Sequence, residues 1–248
     1  MRLKNFFAGG TWGKKLYNNI HNFIVKYKKY DRDAFFFFTS IFMAIISLFL
    51  FLKLAEDYYE YGSWSIDTKV YSYFLSIRNE KLNSAAKFIT NTGGVASVII
   101  LTTAVVAFFY INKKRKKSFH FALGIIGVWI FNEGLKAIFK RERPSIDRLL
   151  NPSGYSFPSG HAMIFLSFII LLSYYILLDF KNKNMARLIT LLLFIYAGLV
   201  GMSRVYLGVH YFSDVIGGWL AGILWSSTFI VINRALAYKK YVKYNTIK

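Results

Sequence analysis

The chain of 248 residues has no cysteine, three prolines, and 12 acidic residues against 32 lysines and arginines. The lack of cysteine excludes disulfides and thiol nucleophiles, though it does not identify a compartment. The scarcity of carboxylates excludes more. No cluster of acidic, histidine and cysteine residues has the spacing of a metal cage, and Glu142 and Asp147 stand apart, which argues against a two-metal site and for a site with no metal and no cofactor. No internal repeat, Pro/Ser-rich linker or low-complexity block divides the chain, so one membrane domain is expected. The N-terminal arm has no short apolar stretch closed by a small-residue cleavage site, so the first span, not a removable leader, is the expected targeting signal.

What the chain does have is apolar length. Hydrophobic residues make up 55% of it and aromatics 19%, gathered into runs too long for a water-soluble core. Spans of about 20 residues cross about 30 Å of hydrocarbon. On that measure the sequence predicts helices near 34–54, 93–111, 118–139, 161–178, 188–206 and 212–232. The expected fold is all-α: a polytopic membrane bundle of six transmembrane helices plus short interfacial helices. A basic arm (1–33) precedes the membrane domain (34–232), and a basic tail (233–248) follows it.

The formal charge of +20 is unevenly placed. The arm, the 112–118 loop with Lys113, Lys114, Arg115, Lys116 and Lys117, the 179–187 loop and the tail are rich in Lys and Arg. The 55–92 loop instead sets Glu56, Asp57, Glu60, Asp67 and Glu80 against Lys69, Arg78, Lys81 and Lys87. Positive loops face the cytoplasm, so both termini are expected there, resting on anionic lipid headgroups; no nucleic-acid partner is expected. The sequence carries no signal for an oligomeric state. In the arm, Leu16, Ile20, Phe23 and Tyr27 form an apolar stripe among lysines, as in a helix lying in the interface. A second amphipathic stretch starts at Ser65, an N-cap residue type with Asp67 in the first turn, and aligns Ile66, Val70, Phe74 and Ile77. It reads as a connector on the outer leaflet rather than as a lip for lipid entry. Gly217, Gly218, Ala221 and Gly222 in the last span allow close helix packing.

Chemistry-bearing residues gather at span ends. Drawn in alternation, the six spans bring Lys136, Arg143, His161, Arg204, His210 and Asp214 near one face of the bilayer. Ionisable groups at that depth are tolerated where they line a hydrated cavity or meet opposite charge. Three cations against one carboxylate suit an anion. His210 and Asp214 are four apart, so on a helix they share a face, the carboxylate accepts from one ring nitrogen and the other nitrogen can attack. His161 follows Ser159 and Gly160 at a helix start, whose free N–H groups favour an anion. It is the candidate acid for the leaving oxygen and then the base for water. Lys136, Arg143 and Arg204 are the candidate clamps on nonbridging oxygens.

These residues fall in three blocks: Lys136 to Pro144 (KAIFKRERP), Pro158-Ser159-Gly160-His161, and Ser203 to Asp214 (SRVYLGVHYFSD). At a crude chance of about one in twenty per position, all the specified residues would recur together far less than about once in a million sequences. The pattern resembles the type-2 phosphatidic acid phosphatase superfamily. The resemblance implies a metal-independent phosphatase passing through a phosphohistidine on His210, with Asp214 orienting it, His161 as acid and base, and Lys136, Arg143, Ser159, Gly160 and Arg204 on the phosphate. It further implies a lipid phosphate or diphosphate substrate at the outer face of a bacterial cytoplasmic membrane, with undecaprenyl diphosphate first. Phosphatidylglycerophosphate, phosphatidic acid and lipid A are alternatives, as is transfer to an acceptor lipid. A non-catalytic lipid-phosphate binder would need only the cations.

Overall fold

In the computed structural model, residues 31–61, 64–145 and 147–246 are described, and the apolar stripe of the N-terminal arm lies outside them. Eight helices occur among the described residues: α1 (Asp31–Tyr61), α2 (Ser65–Ser76), α3 (Glu80–Thr92), α4 (Val95–Ile111), α5 (Arg115–Phe139), α6 (Gly160–Asp179), α7 (Lys183–Tyr206) and α8 (Phe212–Thr246). Contacts divide the chain into two units. One is Met43–Phe229; the other joins Met1–Phe42 with Ile230–Lys248 and contributes the first turns of α1 and the last turns of α8. Every residue discussed below belongs to Met43–Phe229.

Helices α1, α5, α6, α7 and α8 are long and apolar enough to cross a membrane. A sixth crossing is available if α3 and α4, bent by 46° at their junction, count as one broken span. The bend falls at Gly93-Gly94. Gly93 packs on α7 so closely that a Cβ would lie 2.3 Å from Val200 Cγ1. Exposed Phe49, Leu52, Ile100, Ile130, Leu191 and Ile195 give these helices faces that suit hydrocarbon and not water.

The segment expected as a 55–92 loop is almost wholly helical. α1 runs on through its acidic end to Tyr61, and α3 is a helix that the span reading missed because its sequence, EKLNSAAKFITNT, has too few apolar residues to cross alone. Helix α2 starts where expected, but Trp64, not Ser65, is its N-cap. Its buried face is also rotated: Ile66 and Ile77 are exposed, while Asp67 is buried, and Val70 and Phe74 pack against Ala162, Val205 and Val215.

Close packing joins the spans at the site end. Phe157, in the loop before α6, is 1% exposed and meets Phe139 of α5 at 4.7 Å between ring centroids and Tyr58 of α1 at 6.1 Å. On α8, a Cβ at Gly218 would come 2.7 Å from Ser159 O, and one at Gly222 would come 2.8 Å from Met163 O. Both obstacles are backbone, so neither can swing away. Gly222→Ala should therefore destabilise the protein by about 1–3 kcal/mol, read as a lower thermal midpoint in detergent. An unchanged midpoint would contradict this packing.

Candidate active site

Helix α5 ends on Lys140 in the left-handed conformation, φ 47°, with its N–H on Lys136 O at 3.0 Å. The reversal leaves Lys136 on the last helical turn and sends Arg141 and Arg143 into the extended stretch beyond it. His210 lies in the turn between α7 and α8, one residue ahead of Tyr211. It is not on the helix, as the four-residue spacing suggested. Asp214, in the first turn of α8, reaches back: its Oδ2 accepts from Tyr211 N at 2.9 Å, the N3-to-N-cap half of a capping box, and from His210 Nδ1 at 3.3 Å. The turn, not a shared helical face, makes the contact. Gly208, at φ +72°, shapes that turn, and a Cβ there would lie 3.1 Å from both Asp147 O and Arg78 Nη2.

A cavity of about 150 Å³ is lined by Lys136, Arg143, Gly160, His161, Arg204 and His210, with Asn132 and Glu133 among its other walls. Six of the eight expected site residues thus converge on one space. Asp214 does not line this space and stands behind His210. Ser159 also stands behind: it is fully buried, its N–H donates to Asp214 O at 3.0 Å, and its Oγ has no protein partner. At the start of α6, the amides of Gly160, His161 and Ala162 have no intrahelical acceptor.

The hydrogen bonds fix the His210 tautomer. Arg143 Nη1 can only donate, and it lies 2.9 Å from His210 Nε2, so Nε2 carries the lone pair and Nδ1 the proton that faces Asp214. Burial, then the cations Arg143, Arg204 and Lys136, hold the ring well below the usual imidazole pKa, which keeps it neutral at neutral pH. Arg143 is gripped by backbone oxygens of Gly154 (2.9 Å), Val209 (3.0 Å), Ser153 and Tyr155 (both 3.1 Å). Burial lowers its pKa, partly offset by Asp214. Arg204 donates from Nη1 to Thr90 Oγ1 at 2.7 Å, and its buried Nε has no protein acceptor. Lys136 pairs with Glu133 at 2.8 Å.

Behind the histidine lies a second layer that the sequence reading missed. Arg141 Nη1 donates to Asp214 Oδ1 and to Ser213 Oγ, both at 2.7 Å, and Nη2 donates to Asp67 Oδ2 at 3.0 Å. Burial opposes the Arg141 charge, but Asp214 and Asp67 outweigh it and raise its pKa. One local signal did exist: Asp67 shares a helical face with Val70 and Phe74, and a carboxylate on a buried face calls for a cation. Arg141 sits two residues before Arg143 in KRERP, and the two reach the His210–Asp214 pair from opposite ends.

An apolar groove of about 440 Å³ adjoins the cavity between α4 and α5. Ile99, Thr102, Ile126 and Ile130 line it, and it shares Val98 and Trp129 with the cavity. Its apolar walls suit a hydrocarbon chain.

Residues 117–237 match the PAP2 superfamily. Phosphatidylglycerophosphatase B of Bacillus subtilis (strain 168) is 32% identical over 182 residues, covering 72% of this chain and 89% of the relative. An undecaprenyl-diphosphatase of Sulfolobus acidocaldarius is 41% identical over 71 residues, 29% of this chain and 30% of that protein. A crystal structure of the transmembrane PAP2 type phosphatidylglycerolphosphate phosphatase from Bacillus subtilis matches with a TM-score of 0.74 and 26% identity, over 78% of this chain and 97% of that one. Agreement of this extent, in sequence and in backbone, makes the chain a member of the PAP2 superfamily and a membrane phosphatase.

Proposed function

We propose that this lipid phosphatase removes the terminal phosphate of a phosphorylated glycerolipid of the phosphatidylglycerophosphate kind, through a phosphohistidine on His210. The observation that carries the reading is the fixed tautomer: Nδ1–H faces Asp214 and the Nε2 lone pair faces a cavity lined with cations. Four of the five Arg143 contacts run to backbone carbonyls. The remaining donor, now on Nε2, can turn to a phosphate oxygen as the substrate enters, which frees the lone pair for attack.

In the first half-reaction the Nε2–P bond forms as the P–O ester bond breaks, and the leaving oxygen takes the bond pair and a proton from His161. In the second, water attacks phosphorus and gives a proton to His161, the N–P bond breaks with its pair returning to Nε2, and inorganic phosphate departs. Lys136, Arg143, Arg204 and the α6 amides from Gly160 stabilise the charge on the nonbridging oxygens. Ser159 supports them from behind the wall, through the carbonyl of Asp214.

A relative named for phosphatidylglycerophosphate and matched over 89% of its length moves that substrate ahead of undecaprenyl diphosphate, the first choice from sequence. Undecaprenyl diphosphate stays as the second reading because of the local identity of 41% with an undecaprenyl-diphosphatase. The charge pattern supports a bacterial inner-membrane protein with both termini cytoplasmic and the site on the outer face. Lys114 and Lys117, which pair with Asp179, mark the far end of α5 and α6 from the cavity.

Purified protein in detergent with EDTA should release phosphate from phosphatidylglycerophosphate, and no release from any lipid phosphate or diphosphate would end the metal-free reading. His210→Ala should lower turnover at least about 10³-fold; a rate near wild type would remove His210 from its role. Specificity constants for the two lipids should differ at least tenfold in favour of the glycerolipid, about 1.4 kcal/mol at the transition state. Because the chain has no cysteine, Ser153→Cys gives a single thiol near the cavity mouth. An impermeant reagent should reach it from outside intact cells, and labelling only after lysis would invert the proposed orientation.

A further inference from the structure

Among the described residues, Asp67, Arg141 and Asp214 form a buried charge cluster outside the cavity, with Ser213 bonded into it. Asp67 is 3% exposed, Arg141 5%, Ser213 3% and Asp214 0%. Asp67 Oδ1 accepts from Ser213 N at 2.7 Å and its Oδ2 from Ser213 Oγ at 2.6 Å. The Arg141 guanidinium lies 4.2 Å from the Tyr211 ring centroid and 5.1 Å from that of Tyr58, so stacking as well as hydrogen bonding fixes its plane. Neither Asp67 nor Arg141 lines the phosphate cavity.

Charge counting gives this layer a purpose. Asp67, Arg141 and Asp214 together carry a net charge of −1. When Nε2 of His210 bonds to phosphorus, the ring still holds its Nδ1 proton and becomes cationic, so the layer supplies one matching negative charge. Arg141 alone beside Asp214 would make a neutral pair and leave the imidazolium uncompensated. Asp67 alone would put two carboxylates in one buried region, which favours protonation of one of them. Only the three charges together keep Asp214 ionised, aimed by a hydrogen bond at each oxygen, and still net negative toward His210.

We infer that Arg141 and Asp67 are positioning residues for the phosphoryl transfer: they act through Asp214 on the charge and orientation of His210, and they link helix α2 to the nucleophile. This inference rests on the proposed roles of His210 and Asp214.

The test is a charge cycle in the full-length protein in detergent: Asp67→Asn, Arg141→Gln, the double variant Asp67→Asn/Arg141→Gln, and Arg141→Lys. The readouts are kcat and KM for a lipid monophosphate and the inhibition constant of inorganic phosphate, which occupies the cavity without a bond to Nε2. Each single neutralisation should lower kcat about 10–100-fold, taking as the scale the loss of outer hydrogen-bonding partners behind metal-bound histidines. The phosphate inhibition constant should stay within about threefold, because the cavity walls are intact and a ground-state anion forms no bond to Nε2. The double variant restores the net charge of −1, so its kcat should exceed that of both single variants. A purely structural role moves the thermal midpoint with the pairing of the buried charges and leaves kcat of the folded protein unchanged. Arg141→Lys keeps the charge without the two-armed fork and should fall between wild type and Arg141→Gln.

Wild-type kcat in both single variants, a double variant no faster than the faster single one, or phosphate affinity falling in step with kcat would each overturn the inference. If Arg141→Gln fails to fold, Asp67→Asn and Arg141→Lys carry the same readouts. Loss of activity in wild type, or full activity in His210→Ala, would overturn the function itself. An active wild type, a dead His210→Ala and unchanged charge variants would overturn the positioning role alone.

Discussion

A carboxylate buried without solvent is tenable only where donors meet both of its oxygens, and Asp214 is the place where this fold meets that demand. Its two oxygens take hydrogen bonds from Arg141, Tyr211 and His210, and its backbone carbonyl takes the Ser159 N–H. Those four partners come from the stretch after α5, the α7–α8 turn and the start of α6. Breaking a buried ion pair by removing one partner typically costs about 3–5 kcal/mol. The contacts that hold three chain segments together are therefore the same ones that set the proton on His210.

Placement of this polar centre depends on an apolar frame. Phe157 fills the space between α1 and α5, and Gly218 and Gly222 let α8 lie against the backbone of α6. Helix ends then deliver the polar groups: the left-handed Lys140 after α5, the free amides that open α6, and the Gly208 turn that presents His210. The adjoining α4–α5 groove offers an apolar wall beside a cationic cavity, the arrangement a lipid phosphate requires. The family membership and the long match to phosphatidylglycerophosphatase B agree with that chemistry.

Much of this was legible in the chain. Apolar runs marked α1, α4, α5, α6, α7 and α8, because hydrocarbon thickness imposes a length that sequence records directly. Fixed spacings marked Lys136, Arg143, His161, Arg204, His210 and Asp214. Helix α3 was not legible, since it is too short and too polar to register as a crossing alone. The Asp67–Arg141 pair spans 74 positions, and no local periodicity reports a contact between distant segments. Ser159 was read as a cavity group because helix starts bind anions, but its amide is used by Asp214 before any ligand arrives. The His210–Asp214 contact was expected for a helical reason and is made by a turn instead.

The central claim is that phosphate passes through a covalent bond to Nε2 of His210. The direct measurement mixes the enzyme with a lipid carrying a radiolabelled terminal phosphate, quenches within one turnover at alkaline pH, where phosphohistidine survives, and maps the label by proteolysis and mass spectrometry. Transient label is expected on the peptide containing His210, and none in His210→Ala. Turnover with no labelled peptide at any time, or label on another residue, would contradict it.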